Sequence, residues 1–460
     1  MRPRRCDNWP TPSRRSAACR LPRPPASSIP NPAPRIPDGG PPMYRVSHFV
    51  SQFAVCLLAG AAVALIWVNL SPQSYQDFVE LRLADNSLIG YPNPDSLLRF
   101  GRTLTLGYLA GNALMSFFFL YIGKELWEAL VLRQGALRGT KSVAPLITAL
   151  AAALMPALLY ASLSRYVTAP VLPAPAAGWP VPMAGDVALS YVVGRLALGP
   201  GHPALRFLLL VSIADDILAL LITGLAFPIG TLRPVWLLLP LGASVLAYAG
   251  FNALPRWLDR GDPLKPAARW VRHRLSVWPY AVAGALSWYG MQQAGLMPAL
   301  GLLPVIPAIP HADHAFGIFA EAEEMLPDML NRIARWLIVP VGAILFLFAL
   351  THSGAPFASA DSETLAVMLA LLIGKPVGII LGGTLALRLL GAPLPKGMVP
   401  RDLAVVGVIA AMGFSVPLFA INATLPRGVL SEGARLGLLL SLIAAPLALM
   451  LARAIGRRIA

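Results

Sequence analysis

The stretch Leu208-Leu209-Leu210-Val211-Ser212-Ile213-Ala214-Asp215-Asp216-Ile217-Leu218-Ala219-Leu220-Leu221 sets two adjacent carboxylates in the middle of an otherwise apolar run. An ionised side chain at the centre of a membrane helix costs at least about 2.5 to 3.5 kcal/mol on insertion scales, so apolar residues would insert far more cheaply and these need a reason. Adjacent positions on a helix point about 100° apart. Asp215 and Asp216 therefore face different surroundings, and one can hold a cation while the other meets a protein partner. Two carboxylates this close repel each other when both are ionised, which favours a bound cation or proton at the pair.

The rest of the chain has the composition such a helix needs around it. Of 460 residues, 56% are hydrophobic and only 13% charged, against roughly 25% charged in an ordinary soluble domain. The mean hydropathy of +0.64 is spread along the length, so the chain is expected to cross the bilayer repeatedly. A net charge of +15 raises the question of nucleic acid. Its placement answers: residues 1–42 carry eight arginines against Asp7 and Asp38, and most of the remainder lies in short loops between apolar stretches. No compact basic domain is left to bind DNA or RNA. Cys6, Cys19 and Cys56 give neither a disulfide framework nor a metal-ligand spacing. Residues 1–42, rich in Pro, Arg and Ser, read as a disordered tail, and a true start at Met43 reads equally well.

Apolar stretches fall at 49–70, 104–123, 143–163, 180–199, 204–228, 234–252, 276–292, 296–310, 334–352, 364–390, 402–425 and 434–455. Each is long enough, or nearly so, to cross a hydrocarbon core of about 30 Å, which predicts an all-α membrane protein of about twelve spans. An even count puts both ends on one side, and the loops there are basic: Arg133, Arg138 and Lys141, then Arg256, Arg260, Lys265, Arg269, Arg272 and Arg274, then Lys396 and Arg401, and finally Arg453, Arg457 and Arg458. Both termini are therefore expected to be cytoplasmic. Residues 311–330 depart from the pattern. His311, His314, Glu323 and Glu324 at that mouth could attract cations and titrate near neutral pH, although a solvated acidic loop accounts for the same residues. On the opposite side, Val79, Leu81 and Leu83 alternate with Glu80 and Arg82 before the turn signal Ala84-Asp85-Asn86-Ser87. That pattern predicts a small extramembrane hairpin near residues 78–90, whose edge could pair with a second copy.

Three more features carry chemistry. Asp186 follows Pro180, Pro182 and Gly185. Pro removes backbone hydrogen bonds and Gly tolerates unwound geometry, so the fourth helix is expected to break there, with Asp186 compensating a helix N-terminus or ligating a cation. Gly413 and Pro417 interrupt the eleventh stretch in the same way. Stretches four and eleven hold the same position in two three-helix units, and paired interruptions of this kind mark an inverted-repeat transporter with its site at the midplane. Lys375 stands mid-helix between Gly374 and Pro376. A buried ammonium there wants an anion, and Asp215 or Asp216 is the nearest choice. Asn112, Glu125, Glu128 and His352 are weaker candidates for an access path.

From about Leu57 to Arg458 these residues resemble the NhaA type of bacterial sodium/proton antiporter. The likeness rests on Gly178-Trp179 through Asp186, on Asp215-Asp216, on Leu372-Ile373-Gly374-Lys375-Pro376, on Gly413-Phe414-Ser415, and on Asn112-Ala113-Leu114-Met115 followed by three phenylalanines. The resemblance implies an inverted-repeat antiporter fold with discontinuous fourth and eleventh helices. It implies a single domain over 43–460, with a core bundle at 143–228 and 364–455 and interface helices at 49–123 and 234–352. In function it implies electrogenic exchange of Na+ or Li+ for H+ across the bacterial inner membrane, serving pH and sodium homeostasis, with no cofactor and no enzyme chemistry. Asp216 would bind cation or protons in alternation, Asp215 would help and pair with Lys375, Asp186 would balance the half-helices, and homodimers would form through the hairpin. Relatives usually carry Thr where this chain has Gly185, and their ninth helix usually ends in Asn-Ala-Gly where this one ends in Thr351-His352-Ser353-Gly354.

Two other readings compete. A sodium-coupled organic anion symporter would keep the fold and change the cargo, but no extra polar cavity is evident in the sequence. An intramembrane aspartyl protease needs Gly-x-Gly-Asp, and residues 183–186 read Met-Ala-Gly-Asp. Its two aspartates must also converge on one water, whereas Asp215 and Asp216 diverge around their helix.

Overall fold

The computed structural model describes residues 49–93, 101–132, 143–167, 175–228, 231–260, 266–311 and 328–456. The tail at 1–42 and the loop residues His314, Glu323 and Glu324 lie outside them. Among the described residues nine helices are long and apolar enough to cross a membrane, or ten if one bent pair counts as a span. They are α1 (Phe49–Leu70), α3 (Leu106–Val131), α4 (Val143–Val167), the segment Val181–Leu198 whose helical part is α5 (Val187–Leu198), α6 (Pro203–Ala226), α7 (Pro234–Leu258), α9 (Met329–His352), α10 (Ser362–Leu389) and α13 (Val429–Ala454). A short α2 (Pro72–Val79) follows α1, and α8 (Trp278–Ala294) has 17 residues. The bent pair is α11 (Asp402–Ala410) and α12 (Ser415–Thr424), inclined at 51°.

One expected span forms no α-helix. Residues 296–310 make only 3₁₀ turns at Pro298–Leu300 and Leu303–Ala308. Pro298, Pro304, Pro307 and Pro310 each remove a backbone donor and clash with the preceding turn. The apolar run is there; the α-helical hydrogen bonds are not.

The helices pack through small residues, as membrane helices do where no water drives association. Gly374, Gly378 and Gly382 follow at four-residue spacing along α10 and face Pro156, Ala151 and Thr148 of α4. A β-carbon at Gly374 would stand 2.5 Å from Pro156 Cα, and one at Gly382 would stand 2.7 Å from Ala151 Cβ. The seam thus brings two backbones together and fixes the height of Lys375, the residue after Gly374. In the same way Gly60 of α1 meets the Phe346 carbonyl of α9.

The extramembrane hairpin is part of a three-stranded antiparallel sheet. Its order is β1 (Arg82–Asn86), β3 (Arg102–Thr105), β2 (Tyr91–Pro92). The strand begins later than the alternation from Val79 predicts, because α2 runs through Val79. The central strand comes from residues 102–105, pairing Ala84 with Leu104 and Tyr91 with Thr103. The Asn86 side chain accepts from the N–H groups of Leu88 and Ile89 at 2.8 and 2.7 Å, which turns the chain back from β1 to β2.

Candidate functional site

The two adjacent aspartates of α6 are both buried, Asp215 completely and Asp216 at 5% exposure. Their divergence around the helix sends them to different partners. Asp215 Oδ2 meets Lys375 Nζ of α10 at 2.6 Å, and Lys375 is itself fully buried. A π turn over Ala370–Gly374 precedes the lysine, and such a turn inside an α-helix commonly marks a functional site. Asp216 turns towards the stretch before α5, where its Oδ1 accepts from the Gly185 N–H at 3.2 Å.

That stretch is not α-helical. Val181–Met183 form one 3₁₀ turn that contains Pro182, Ala184 is extended (φ −91°, ψ 158°), and α5 starts only after Asp186. Asp186 caps α5 by accepting from Leu189 N–H at 2.9 Å, as an N-terminal aspartate does. Its second oxygen accepts from the Ser415 N–H at 3.1 Å, at the start of α12. One carboxylate thus closes the N-termini of two helices, each carrying roughly half a positive charge.

The stretch Ala411–Phe414 links α11 to α12. Gly413 donates its N–H to Ser441 Oγ of α13 at 3.2 Å, and a β-carbon on it would stand 3.0 Å from Leu371 Cδ1. Pro417 does not make the break. It lies in the first turn of α12, where a missing N–H costs nothing. Gly185 sits where the two linkers cross: a β-carbon there would be 3.0 Å from the Ala410 carbonyl oxygen and 3.3 Å from Lys375 Nζ.

Two spaces approach this centre. A small cleft beside Asp216 is walled by Phe118, Phe119, Leu300, Leu303 and Val416. A vestibule of about 590 Å³ opens on the hairpin side, lined in part by Tyr75, Glu80, His352, Arg427 and Arg435. Between them stand packed rings: Phe119 meets Phe419 edge-on with centroids 5.4 Å apart, and Phe348 stacks on Phe419 at 4.9 Å and on His352 at 4.6 Å. Tyr75 holds the vestibule floor, donating to the Leu350 carbonyl at 2.8 Å and accepting from Gly354 N–H at 3.2 Å. Burial raises the proton affinity of that hydroxyl, which keeps it a donor.

The remaining candidates lie apart from the aspartates. Glu125 and Glu128 share Lys124, at 3.0 and 2.9 Å, all three buried. Lys124 escaped the sequence reading because a charge that close to a helix end passes for a solvated one. The carbonyl of Asn112 accepts from Trp288 Nε1 at 3.0 Å. The His311 ring lies 6.1 Å from that of Trp127.

Comparison with known proteins matches the family described as Na+/H+ antiporter 1 over residues 46–452. An Na(+)/H(+) antiporter NhaA of Jannaschia sp. (strain CCS1) is 46% identical over 411 residues, 89% of this chain and 98% of its own length. One of Desulfitobacterium hafniense (strain DSM 10664 / DCB-2) is 33% identical over 417 residues, 90% of this chain and 96% of its own. One of Geobacter metallireducens (strain ATCC 53774 / DSM 7210 / GS-15) is 34% identical over 415 residues, 89% and 98%.

Proposed function

This chain belongs to the Na+/H+ antiporter 1 family and exchanges Na+ for H+ across a membrane, and we propose that the exchange takes place at Asp216 and Asp215, with Lys375 and Asp186 holding the charge balance around them. The observation that carries this reading is the division of labour between two adjacent carboxylates. Asp215 is tied to Lys375 at 2.6 Å. Among the described residues Asp216 accepts a hydrogen bond from one backbone N–H, that of Gly185, and it faces a cleft. One negative charge is neutralised inside the protein and the other is left for a cargo of one positive charge.

Coupling follows from competition. A sodium ion and protons cannot occupy the aspartates together, so loading one on either side of the membrane releases the other. A difference of one pH unit supplies about 1.4 kcal/mol per proton, and 100 mV supplies about 2.3 kcal/mol per net charge moved. An exchange that moves net charge in each cycle can therefore draw on the membrane potential as well as the pH gradient. Lithium, with the same charge and a smaller radius, is the expected second substrate.

The transporter lies in the bacterial inner membrane, as a multi-pass protein of twelve spans. This count takes the nine long helices, the bent pair α11 and α12, the 17-residue α8 and the 3₁₀ segment 298–308 as one span each. Spans four and eleven are discontinuous and cross at Asp186, in corresponding places of two three-helix units. Both termini lie on the cytoplasmic side, a reading supported by the arginines at 256, 260, 269 and 274. The vestibule then faces outward, and the packed aromatic rings close the site on that side. The chain acts as a homodimer joined through its sheet and contributes to pH and sodium homeostasis.

The test is addition of Na+ or Li+ to everted vesicles holding an imposed pH gradient, from mildly acid to alkaline pH. Wild type dissipates the gradient and Asp216→Asn does not. A variant as active as wild type would remove Asp216 from the site, and a silent wild type would sink the exchange itself.

A further inference from the structure

Ser190 and Ser212 are fully buried, and neither hydroxyl has a hydrogen-bond partner among the described residues. Asp215 Oδ1 is buried and unpartnered in the same way. A partnerless buried hydroxyl costs stability. The cost is easily avoided in a helix by bonding a carbonyl one turn back, as Thr223, Ser244, Thr351 and Ser353 do in this protein. Two hydroxyls that forgo that bond beside an unpartnered carboxylate oxygen call for a ligand.

Their placement follows from the packing of α5 on α6. The two segments run antiparallel, with Gly185 against Asp216 at one end and Gly194 against Leu205 and Leu208 at the other. Ser190 lies one turn from Asp186 and one turn from Gly194, on the face that meets α6. Ser212 lies one turn from Leu208 and one turn from Asp216, on the face that meets α5. Both hydroxyls therefore enter the same seam at the same level, one turn from Asp216 on the side away from the vestibule. Around the axis of α6, Ser212 lies between the carboxylates, about 40° from Asp216 and about 60° from Asp215.

We propose that Ser190 and Ser212 are ligands of the transported cation, completing an oxygen shell with one carboxylate oxygen from each of Asp215 and Asp216. The assignment rests on the exchange site described above. Small hard cations take oxygen ligands, and Ser190, Ser212, Asp215 and Asp216 supply four such oxygens within about one turn of one another along two packed helices. Charge balances: Lys375 holds Asp215 through Oδ2, leaving Oδ1 for the ion, and Asp216 neutralises the ion's charge. Gly185 offers no side-chain oxygen, and a β-carbon there would press on the Ala410 carbonyl at 3.0 Å. The hydroxyls come instead from one turn deeper.

The experiment is calorimetric titration of Na+ and of Li+ into the purified full-length protein in detergent at alkaline pH. Gradient dissipation in proteoliposomes runs in parallel, for wild type, Ser190→Ala, Ser212→Ala and the double variant. Each alanine weakens Kd about tenfold and raises the apparent KM alike, while the thermal unfolding midpoint stays level or rises, since a partnerless hydroxyl has gone. Should the alanine variants not fold, Ser212→Cys keeps the shape, puts a soft sulfur in place of the hard oxygen, and must show the same loss. A double variant whose Kd stays within about twofold of wild type overturns the assignment and leaves the exchange site standing. So does a shifted pH profile at unchanged Kd, which would make the hydroxyls a water-mediated contact of Asp215. A wild type that neither binds nor transports either ion removes the exchange site and the serine ligands together.

Discussion

Lys375 and Asp215 are enclosed on all sides, their charged atoms 2.6 Å apart. Removing two ions from water costs several kcal/mol each, and their attraction offsets that only while both are present. Lys375→Met strands a buried carboxylate and should destabilise the protein by about 3–5 kcal/mol. Adding Asp215→Asn should recover most of the loss. Unfolding midpoints of the two single variants and the double variant complete a double-mutant cycle; a double variant no more stable than Lys375→Met alone would mean that the pair is not what Lys375 supports. These two residues, with Asp186 and Asp216, are visible in the sequence because an ionisable group in an apolar run stands out by type alone. Their partners are less visible. The N–H groups of Gly185 and Ser415, which meet Asp216 and Asp186, belong to the backbone and leave no mark in composition. Ser190 and Ser212 look like ordinary small residues of membrane helices until their hydroxyls are found without partners.

The broken segments owe their geometry to a single side chain as much as to their own residues. Two helix N-termini pointing into one apolar space expose unpaired N–H groups and two like partial charges. Asp186 meets both needs, with one oxygen on Leu189 N–H and the other on Ser415 N–H. Asn at this position offers one oxygen and turns an amide N–H towards the second helix. Asp186→Asn should therefore orphan one N–H and weaken the dipole compensation, costing about 2–4 kcal/mol in all. A lowered unfolding midpoint together with a weakened Na+ response is the expected result, and a midpoint equal to wild type would show that the two N-termini do not depend on the charge. Here the sequence is a partial guide. Pro182 stands in a 3₁₀ turn and Gly185 in the irregular stretch just before α5, whereas Pro417 stands in the first turn of α12 and the interruption lies upstream at Ala411–Phe414. A proline marks a missing donor, and a helix start tolerates that as readily as a break does. The 296–310 stretch fails for a related reason: its hydropathy reads as a span, but four prolines leave it 3₁₀ turns.

The sheet is where the largest distance separates what local pattern reveals from what the chain builds, because β3 arrives from residues 102–105 to lie between β1 and β2. Alternation can suggest a strand; it cannot name a partner that many residues away. The sheet is fastened to the membrane part through α8: Gln292 Nε2 donates to the Leu88 carbonyl at 2.5 Å, Tyr108 donates to Gln292 Oε1 at 2.6 Å, and Arg102 reaches Gln293 Oε1 at 3.4 Å. So anchored, the sheet keeps β1 as one of its edges, with Leu83 in the strand and Leu81 just before it about half exposed. An exposed edge strand with apolar side chains is a template for pairing with another chain, and the homodimer proposed above needs such a surface outside the helices that carry the ions. A lysine on this edge should therefore separate copies without disturbing exchange. Leu83→Lys is expected to convert the dimer to a monomer in light scattering of the detergent-solubilised protein, while the apparent KM for Na+ in proteoliposomes stays at the wild-type value. If the variant remains dimeric, the copies meet through another face. If it becomes monomeric and loses exchange as well, the aspartate centre of one copy depends on its neighbour, and the competition between Na+ and protons is not completed within a single chain.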